Sequence, residues 1–139
     1  MPNADHSLKQ SDAAETFLSF YASILAKRPL PRLSWTFQND GSIRAVAQDR
    51  PAAAKLWRAT NPDARDFRLE SLGPKWTELP LSEQSGGVYT ARADKPAKGW
   101  TAFFIEFTFP PSPGGFPLKL TTQVRVVPDV LPHAPPHGR

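Results

Sequence analysis

Residues 99–109 constrain the fold of this 139-residue chain more than any other stretch. They read Gly-Trp-Thr-Ala-Phe-Phe-Ile-Glu-Phe-Thr-Phe, rich in the aromatic and β-branched residues that favour strands. In an extended strand, alternate side chains point to opposite faces, so one face carries Phe103, Ile105, Phe107 and Phe109. The opposite face is only partly apolar and carries Ala102, Phe104 and Glu106. We therefore predict a central strand that packs against a second layer.

The composition narrows the possible classes of protein. A content of 40% hydrophobic and 11% aromatic residues excludes a wholly disordered chain. The sixteen prolines suit short strands joined by many turns, and the lack of cysteine excludes disulfides and cysteine-ligated metals. The net charge of +4 is scattered rather than gathered into a basic stripe, so we expect no nucleic-acid partner. No apolar stretch approaches the roughly 20 residues of a membrane-spanning helix.

Residues 11–28 are predicted to form an amphipathic helix. Apolar side chains recur at helical spacing and share one face, here called the apolar stripe: Ala14, Phe17, Leu18, Tyr21, Ile24 and Leu25. Pro29 and Pro31 end the helix. Because one helix cannot bury its own stripe, we expect the stripe to dock on the following domain or on a body outside this chain.

The rest of the chain alternates with period two and is divided by turn signals. Strands are predicted at 33–38, 42–47, 53–59, 66–72, 76–79, 88–92, 99–109 and 118–127. In the last, alternation places Leu118, Leu120, Thr122, Val124 and Val126 on one face. This count and spacing favour an antiparallel sandwich of immunoglobulin or fibronectin-III type, with a small barrel as the alternative. Residues 129–139 are proline-rich, and we expect a flexible tail.

The residues with catalytic potential do not form a complete site. His6 lies shortly before the predicted helix, and by itself it is a loop histidine. His133 and His137 have metal-like spacing, but the intervening Ala-Pro-Pro cannot form the required helical turn, so we predict no metal. Asp63 and Asp66 flank a turn and are expected to pair with nearby arginines. The sequence contains no serine-nucleophile elbow and no glycine-rich phosphate loop, and we predict no cofactor.

The tryptophans leave two interpretations open. Trp35, Trp57, Trp76 and Trp100 could form a platform on which a sugar stacks, or they could lie in the core of a sandwich. The core is the more common place for tryptophan in such a fold.

Several segments together resemble the C-terminal end of the PhoPQ-activated pathogenicity-related protein family (PqaA type). They are Pro-Asn-Ala-Asp-His-Ser-Leu at 2–8, Arg-Pro-Leu-Pro at 28–31 with Trp35, the block at 55–68, Lys-Gly-Trp-Thr-Ala-Phe-Phe at 98–104 and Arg-Val-Val-Pro at 125–128. The most specific part is Ala-Thr-Asn-Pro-x-Ala-Arg-Asp-Phe-Arg at 59–68. The resemblance covers nearly the whole chain.

This resemblance implies an α/β-hydrolase-like body followed by a β-sandwich. Residues 1–29 would then be the histidine loop and last helix of a truncated hydrolase-like domain, and residues 30–128 would be the sandwich domain. In such hydrolases the catalytic triad runs serine, acid, histidine, with the histidine on a late loop. By resemblance, His6 would be the general base, while the nucleophile and the acid have no matching positions in this chain.

The resemblance therefore implies a catalytically incomplete accessory module of a virulence-associated, exported, serine-hydrolase-like protein. The chain would be inactive by itself, and its partner would be a catalytic body in the same polypeptide or elsewhere. A homodimer formed through the apolar stripe is a second possible association. Export to the periplasm or the medium is implied by the resemblance and by no feature of this sequence. The alternative function is a stand-alone β-sandwich module that binds a protein partner or a carbohydrate.

Overall fold

The computed structural model describes residues 1–9, 11–111 and 115–131. Within these residues the chain is mainly β, with one main helix ahead of the strands, as predicted. The helices are α1 (Ala13–Leu25) and the short α2 (Leu69–Leu72). The strands are β1 (Leu33–Phe37), β2 (Ile43–Ala47), β3 (Ala53–Asn61), β4 (Thr77–Pro80), β5 (Val88–Ala91), β6 (Trp100–Phe109), β7 (Leu118–Thr121) and β8 (Arg125–Val127).

The strands form two antiparallel sheets. The first sheet has the order β1-β2-β5, and the second has the order β4-β3-β6-β7, with β8 also paired to β6. The longest ladder joins β3 to β6, from Ala53 opposite Thr108 to Asn61 opposite Trp100. The predicted central strand is therefore confirmed, because β6 has neighbours along both edges.

The hydrophobic core lies between the two sheets. The predicted apolar face of β6 is buried, with Phe103, Ile105 and Phe107 at 0% exposure. The first sheet contributes Ile43, three alanines and Tyr89, whose ring packs edge-to-face on Phe107 with 5.0 Å between centroids. Because both sheets supply alternate side chains to one contact, neither sheet could bury its apolar face alone.

The second sheet also has a covered outer face. Phe104 and Glu106, which lie on that face of β6, are 6% and 5% exposed. The N-terminal residues and α1 provide the cover, since Asn3 binds the backbone of Trp76 and Asp12 binds Lys119 of β7. The molecule thus has three layers, and the N-terminal segment that contains His6 forms part of the third.

The strand predicted at 66–72 is wrong. Residues Leu69–Leu72 form the short helix α2, preceded by a turn. The carboxylate of Asp66 accepts hydrogen bonds from the backbone N–H of Arg68 at 3.1 Å and from the Ser71 hydroxyl at 2.6 Å. These local bonds satisfy polar groups that would otherwise need a neighbouring strand, so the turn outcompetes the extended form.

The single strand predicted at 118–127 is also wrong, because a bulge divides it. Glu106 lies opposite Thr121, whereas Phe103 lies opposite Arg125, so one extra residue enters the edge between these pairs. At the break, the Thr122 hydroxyl accepts a hydrogen bond from the N–H of Ile105 at 3.0 Å. An extra residue exchanges the two faces of a strand. As a result Val127 packs on the core beside Leu118 and Leu120, and Val124 is exposed.

The predicted domain boundaries at 29/30 and 128/129 and the immunoglobulin-type topology remain predictions. Most of the predicted tail, 132–139 with His133 and His137, lies outside the described residues. Within the described part of the chain, no helix is long and apolar enough to cross a membrane.

Candidate functional site

The N-terminal segment that carries His6 is attached to the sandwich through Asn3. The Asn3 side-chain N–H donates to the carbonyl of Trp76 at 2.9 Å, and its oxygen accepts from the N–H of Trp76 at 3.0 Å. Asn3 has a φ of 54°, a conformation that asparagine tolerates better than most residues. One side chain therefore reproduces the paired hydrogen bonds of a neighbouring strand and fixes the segment on the second sheet.

A local turn then presents His6. The Asp5 carboxylate accepts hydrogen bonds from the Ser7 hydroxyl at 2.6 Å and from the Ser7 N–H at 2.9 Å. The Ser7 hydroxyl is the main reason that the pKa of Asp5 lies below its usual value. The Leu8 N–H closes the turn on the Asp5 carbonyl at 3.2 Å. His6 is exposed at the tip of this turn, and the neighbouring carboxylate is directed towards Ser7.

His6 lies on the rim of a groove of about 550 Å³. The apolar part of its lining includes Phe67, Trp76, Phe104 and Val124. The Trp76 ring lies 5.5 Å from that of Phe104 and 6.2 Å from that of Phe67, and both pairs are tilted by about 60°. The Trp76 indole N–H donates to the Phe67 carbonyl at 3.0 Å. The groove therefore joins an exposed imidazole to an aromatic wall, an arrangement that sequence reasoning missed.

Helix α1 packs on the sheet through its polar side. Ser19 and Ser23 are each 1% exposed, and the Ser23 hydroxyl donates to the Ser19 carbonyl at 2.8 Å. The large side chains of the apolar stripe face outward, with exposures of 64% for Phe17, 51% for Tyr21 and 66% for Leu25. Docking of the stripe on the following domain is therefore a wrong prediction. Small serine side chains let this side of the helix approach the sheet closely, so the apolar stripe on the other side points away from the sheet.

Charged groups hold the start of α1 against the sheet. Lys119 of β7 makes a short ion pair with Asp12 and lies 3.8 Å from the carboxylate of Glu106. Glu106 also accepts a hydrogen bond from the Trp57 indole N–H at 3.2 Å. Burial disfavours the charged form of Lys119, but the hydrogen bond to Asp12 and the charge of Glu106 outweigh burial and raise the pKa of Lys119. Sequence reasoning missed this cluster, although a glutamate within an otherwise apolar strand was its signal.

The four tryptophans do not lie in the core between the sheets. Trp35 is 40% exposed on β1 of the first sheet, whereas Trp57 and Trp76 lie at the outer surface of the second. The Trp100 indole N–H donates to the carbonyl of Val130 at 3.3 Å. The core interpretation is therefore wrong, and the positions on different sheets do not form one four-tryptophan platform.

Asp63 and Asp66, the two carboxylates that flank the turn after β3, both have structural partners, but only Asp66 pairs with an arginine, so the predicted arginine partner of Asp63 is wrong. Asp66 binds Arg68 at 2.6 Å, and this hydrogen bond with that to Ser71 holds the pKa of Asp66 well below its usual range. Asp63 binds Lys98 at 2.8 Å. In the described ranges, no group of three or more histidines and carboxylates is arranged to hold a metal ion.

Comparisons with known proteins agree with the family resemblance. The family model for the PhoPQ-activated pathogenicity-related protein matches residues 1–68, which include the His6 turn, α1 and the first three strands. Autocrine proliferation repressor protein A of Dictyostelium discoideum is 28% identical over 156 residues, covering 95% of this chain and 32% of that relative. The chain thus spans about a third of the length of this curated relative. No solved structure matches it. The match over residues 1–68 supports the resemblance of this chain to the PhoPQ-activated pathogenicity-related protein family.

Proposed function

We propose that this chain is the accessory module of a serine-hydrolase-like protein, with the apolar stripe of α1 as the surface that packs against the catalytic body. The observation that carries this proposal is the orientation of α1. The helix is fixed to the sheet through Ser19 and Ser23, so its apolar side is left available for another body.

The stripe is large enough to support a stable contact. Its exposed members have 48–66% of their surface open to solvent: Phe17, Leu18, Tyr21, Ile24 and Leu25. Full burial of one such side chain contributes about 1.5–3 kcal/mol, so covering the exposed half of all five would contribute about 5 kcal/mol. Contiguous apolar surface of this kind marks interaction sites on folded proteins. A second copy of the chain is the competing partner for the same surface.

His6 is proposed to serve as the general base once the catalytic body supplies a serine and an acid. A base must lie within hydrogen-bond reach of the proton that it removes, so it has to be exposed and held in place. The Asn3 bonds to Trp76 and the Asp5–Ser7 turn hold the segment, and His6 remains exposed. Because Asp5 is engaged by Ser7, the acid that orients the imidazole would come from the body.

Labelling with a fluorophosphonate tests this function, because the probe reacts only with an activated serine. We expect the complete gene product that contains this sequence to be labelled and this chain alone to remain unlabelled. His6→Ala should lower the labelling rate about 100-fold or more, since the serine loses its base. The matched control is His133→Ala, which should label at the wild-type rate. Equal labelling of both variants, or labelling of the chain alone, would reject the assignment.

One observation favours the alternative function of a stand-alone binding module. Trp35 and Phe37 are 40% and 43% exposed on β1, an outermost strand of the first sheet. The Arg125 guanidinium lies 5.0 Å from the centre of the Phe37 ring and donates to the carbonyls of Gln38 and Ser42. A sugar could stack on these rings. Quenching of tryptophan fluorescence by cello-oligosaccharides, abolished in Trp35→Ala and retained in Trp57→Phe, would support this alternative.

A further inference from the structure

We propose that the groove beside His6 binds a neutral aromatic group. If the proposed function holds, this group is the part of the substrate that flanks the cleaved ester or amide bond. Only that assignment to the substrate rests on the proposed function, because the groove and its chemistry do not depend on catalysis.

The wall of the groove is suited to an aromatic ring. Phe104 is 6% exposed and forms the base of the wall, while Phe67 and Trp76 are half-buried. The three rings follow one another as a series, in which Trp76 is tilted by 59° to Phe67 and by 60° to Phe104. Aromatic rings prefer tilted and edge-to-face contacts, and a guest ring extends such a series. The volume of about 550 Å³ falls within the range of small-molecule sites.

The polar groups in this wall already have partners within the protein. The Trp76 indole N–H binds the Phe67 carbonyl, and the backbone of Trp76 binds the side chain of Asn3 on both its N–H and its carbonyl. A polar ligand would lose hydrogen bonds to water on entering the groove and would find few partners in the wall to replace them. An apolar ligand has no such hydrogen bonds to lose. This favours a ring over a sugar.

The charges at the rim favour a neutral guest. Asp5, Arg68 and Glu70 also line the groove. The guanidinium of Arg68 is engaged by Asp66 at 2.6 Å, so its charge is largely compensated. Met1, with its amino group, also lines the groove, but the two carboxylates of Asp5 and Glu70 outnumber this one cation, so the rim is negative and repels an anion at short range.

Nuclear magnetic resonance of the ¹⁵N-labelled chain can test the proposal with two ligands that share one ring. We would titrate N-benzylacetamide, which is neutral, and phenylacetate, which is an anion, at the millimolar concentrations suited to such small ligands. The chain has four indole N–H signals. We expect N-benzylacetamide to shift the Trp76 signal and leave that of Trp35 in place, and phenylacetate to bind about fivefold more weakly or not at all.

Two variants and one control locate the binding. Phe67→Ala removes part of the wall and should weaken binding of N-benzylacetamide about fivefold or more. Val124→Arg puts a long charged side chain into the lining at a position that is 46% exposed, and it should weaken binding as well. Arg44→Ala, at an exposed position on β2 of the first sheet, is the control and should bind like wild type. A Trp76 signal that does not move, or binding of phenylacetate as tight as that of the neutral ligand, would overturn the proposal.

The two proposals can fail separately. Ligand binding in the groove without fluorophosphonate labelling of the complete protein would reject the hydrolase role and retain the groove. Labelling that depends on His6, without ligand binding, would reject the groove and retain the hydrolase role.

Discussion

Replacing Lys119 with methionine should destabilise the protein through the layer that joins α1 to the second sheet. Lys119 is the cation between Asp12 and Glu106, and its side chain is 26% exposed. Glu106 is far more buried, with 6% of its side chain exposed. Methionine preserves most of the apolar stem of lysine and removes the charge, so the substitution isolates the electrostatic contribution.

The size of the effect follows from what remains after the substitution. Removing one partner of a buried pair costs about 3–5 kcal/mol, because the other charge stays buried and unpaired. The 3.8 Å separation between Lys119 and Glu106 and the hydrogen bond from Trp57 to Glu106 both reduce this cost. We therefore expect the substitution to lower the free energy of unfolding by about 3 kcal/mol. For a chain of this length, that loss lowers the Tm by about 12 °C.

Urea unfolding followed by tryptophan fluorescence and circular dichroism measures the loss. The matched control is Lys98→Met, because Lys98 pairs with Asp63 at 2.8 Å but with exposures of 74% and 76%. An exposed pair contributes less than about 1 kcal/mol, so this control should change stability little. The double variant Lys119→Met/Glu106→Gln should recover most of the loss. Equal destabilisation by the two lysine substitutions, or no recovery in the double variant, would refute the reasoning.

The pKa of Lys119 adds a pH test to the same variant. Because this pKa is raised above 10.5, the pairing stabilises the fold fully below that pH and is lost as the pH rises through the folded-state value. The stability gap between wild type and Lys119→Met should therefore be constant near neutrality and narrow in strongly alkaline solution. A gap that persists there would show that packing, not charge, is responsible.

Three further predictions test other parts of the account. Leu18→Glu on the exposed stripe should change the stability of the isolated chain by less than about 0.5 kcal/mol, whereas Ser19→Leu should overpack the contact between helix and sheet and cost about 1–3 kcal/mol in urea unfolding. Asn3→Ala should speed amide hydrogen exchange at Trp76 about fivefold, and unchanged exchange would mean that Asn3 does not anchor the segment. Because the pKa of Asp66 is lowered, its pairing stabilises the fold above pH 3.8 and is lost as the pH falls further. The Tm of Asp66→Asn should therefore fall less on acidification than the Tm of the wild-type chain. An identical fall in the two proteins would contradict this prediction.

The sequence was sufficient to predict the elements whose signal is local. Phe103, Ile105 and Phe107 recur at the strand period, and the structure buries all three. The edge strand at 118–127 could not be predicted in the same way. Its bulge near Thr122 depends on pairing with Ile105, a residue 17 positions away, and one inserted residue reverses the faces that alternation assigns.

The helix shows a different limit of sequence analysis. Its periodicity correctly indicates which side is apolar, but it does not indicate which side faces this sheet. Ser19 and Ser23 face it because they are small and because Lys119 holds the start of the helix through Asp12. The groove beside His6 was hidden for another reason, since its lining comes from positions 6, 67, 76, 104 and 124. No local pattern connects such distant segments.

The most direct test of the central claim is carbene footprinting of α1 in two samples: this chain alone and the complete gene product that contains it. We expect the stripe residues Phe17, Leu18 and Leu25 to be labelled in the chain alone and about fivefold less in the complete product, where the catalytic body covers them. Trp35, on the opposite sheet, should be labelled equally in both. Equal labelling of the stripe in the two samples, or a complete gene product no longer than this chain, would contradict the claim that α1 carries the surface for a catalytic body.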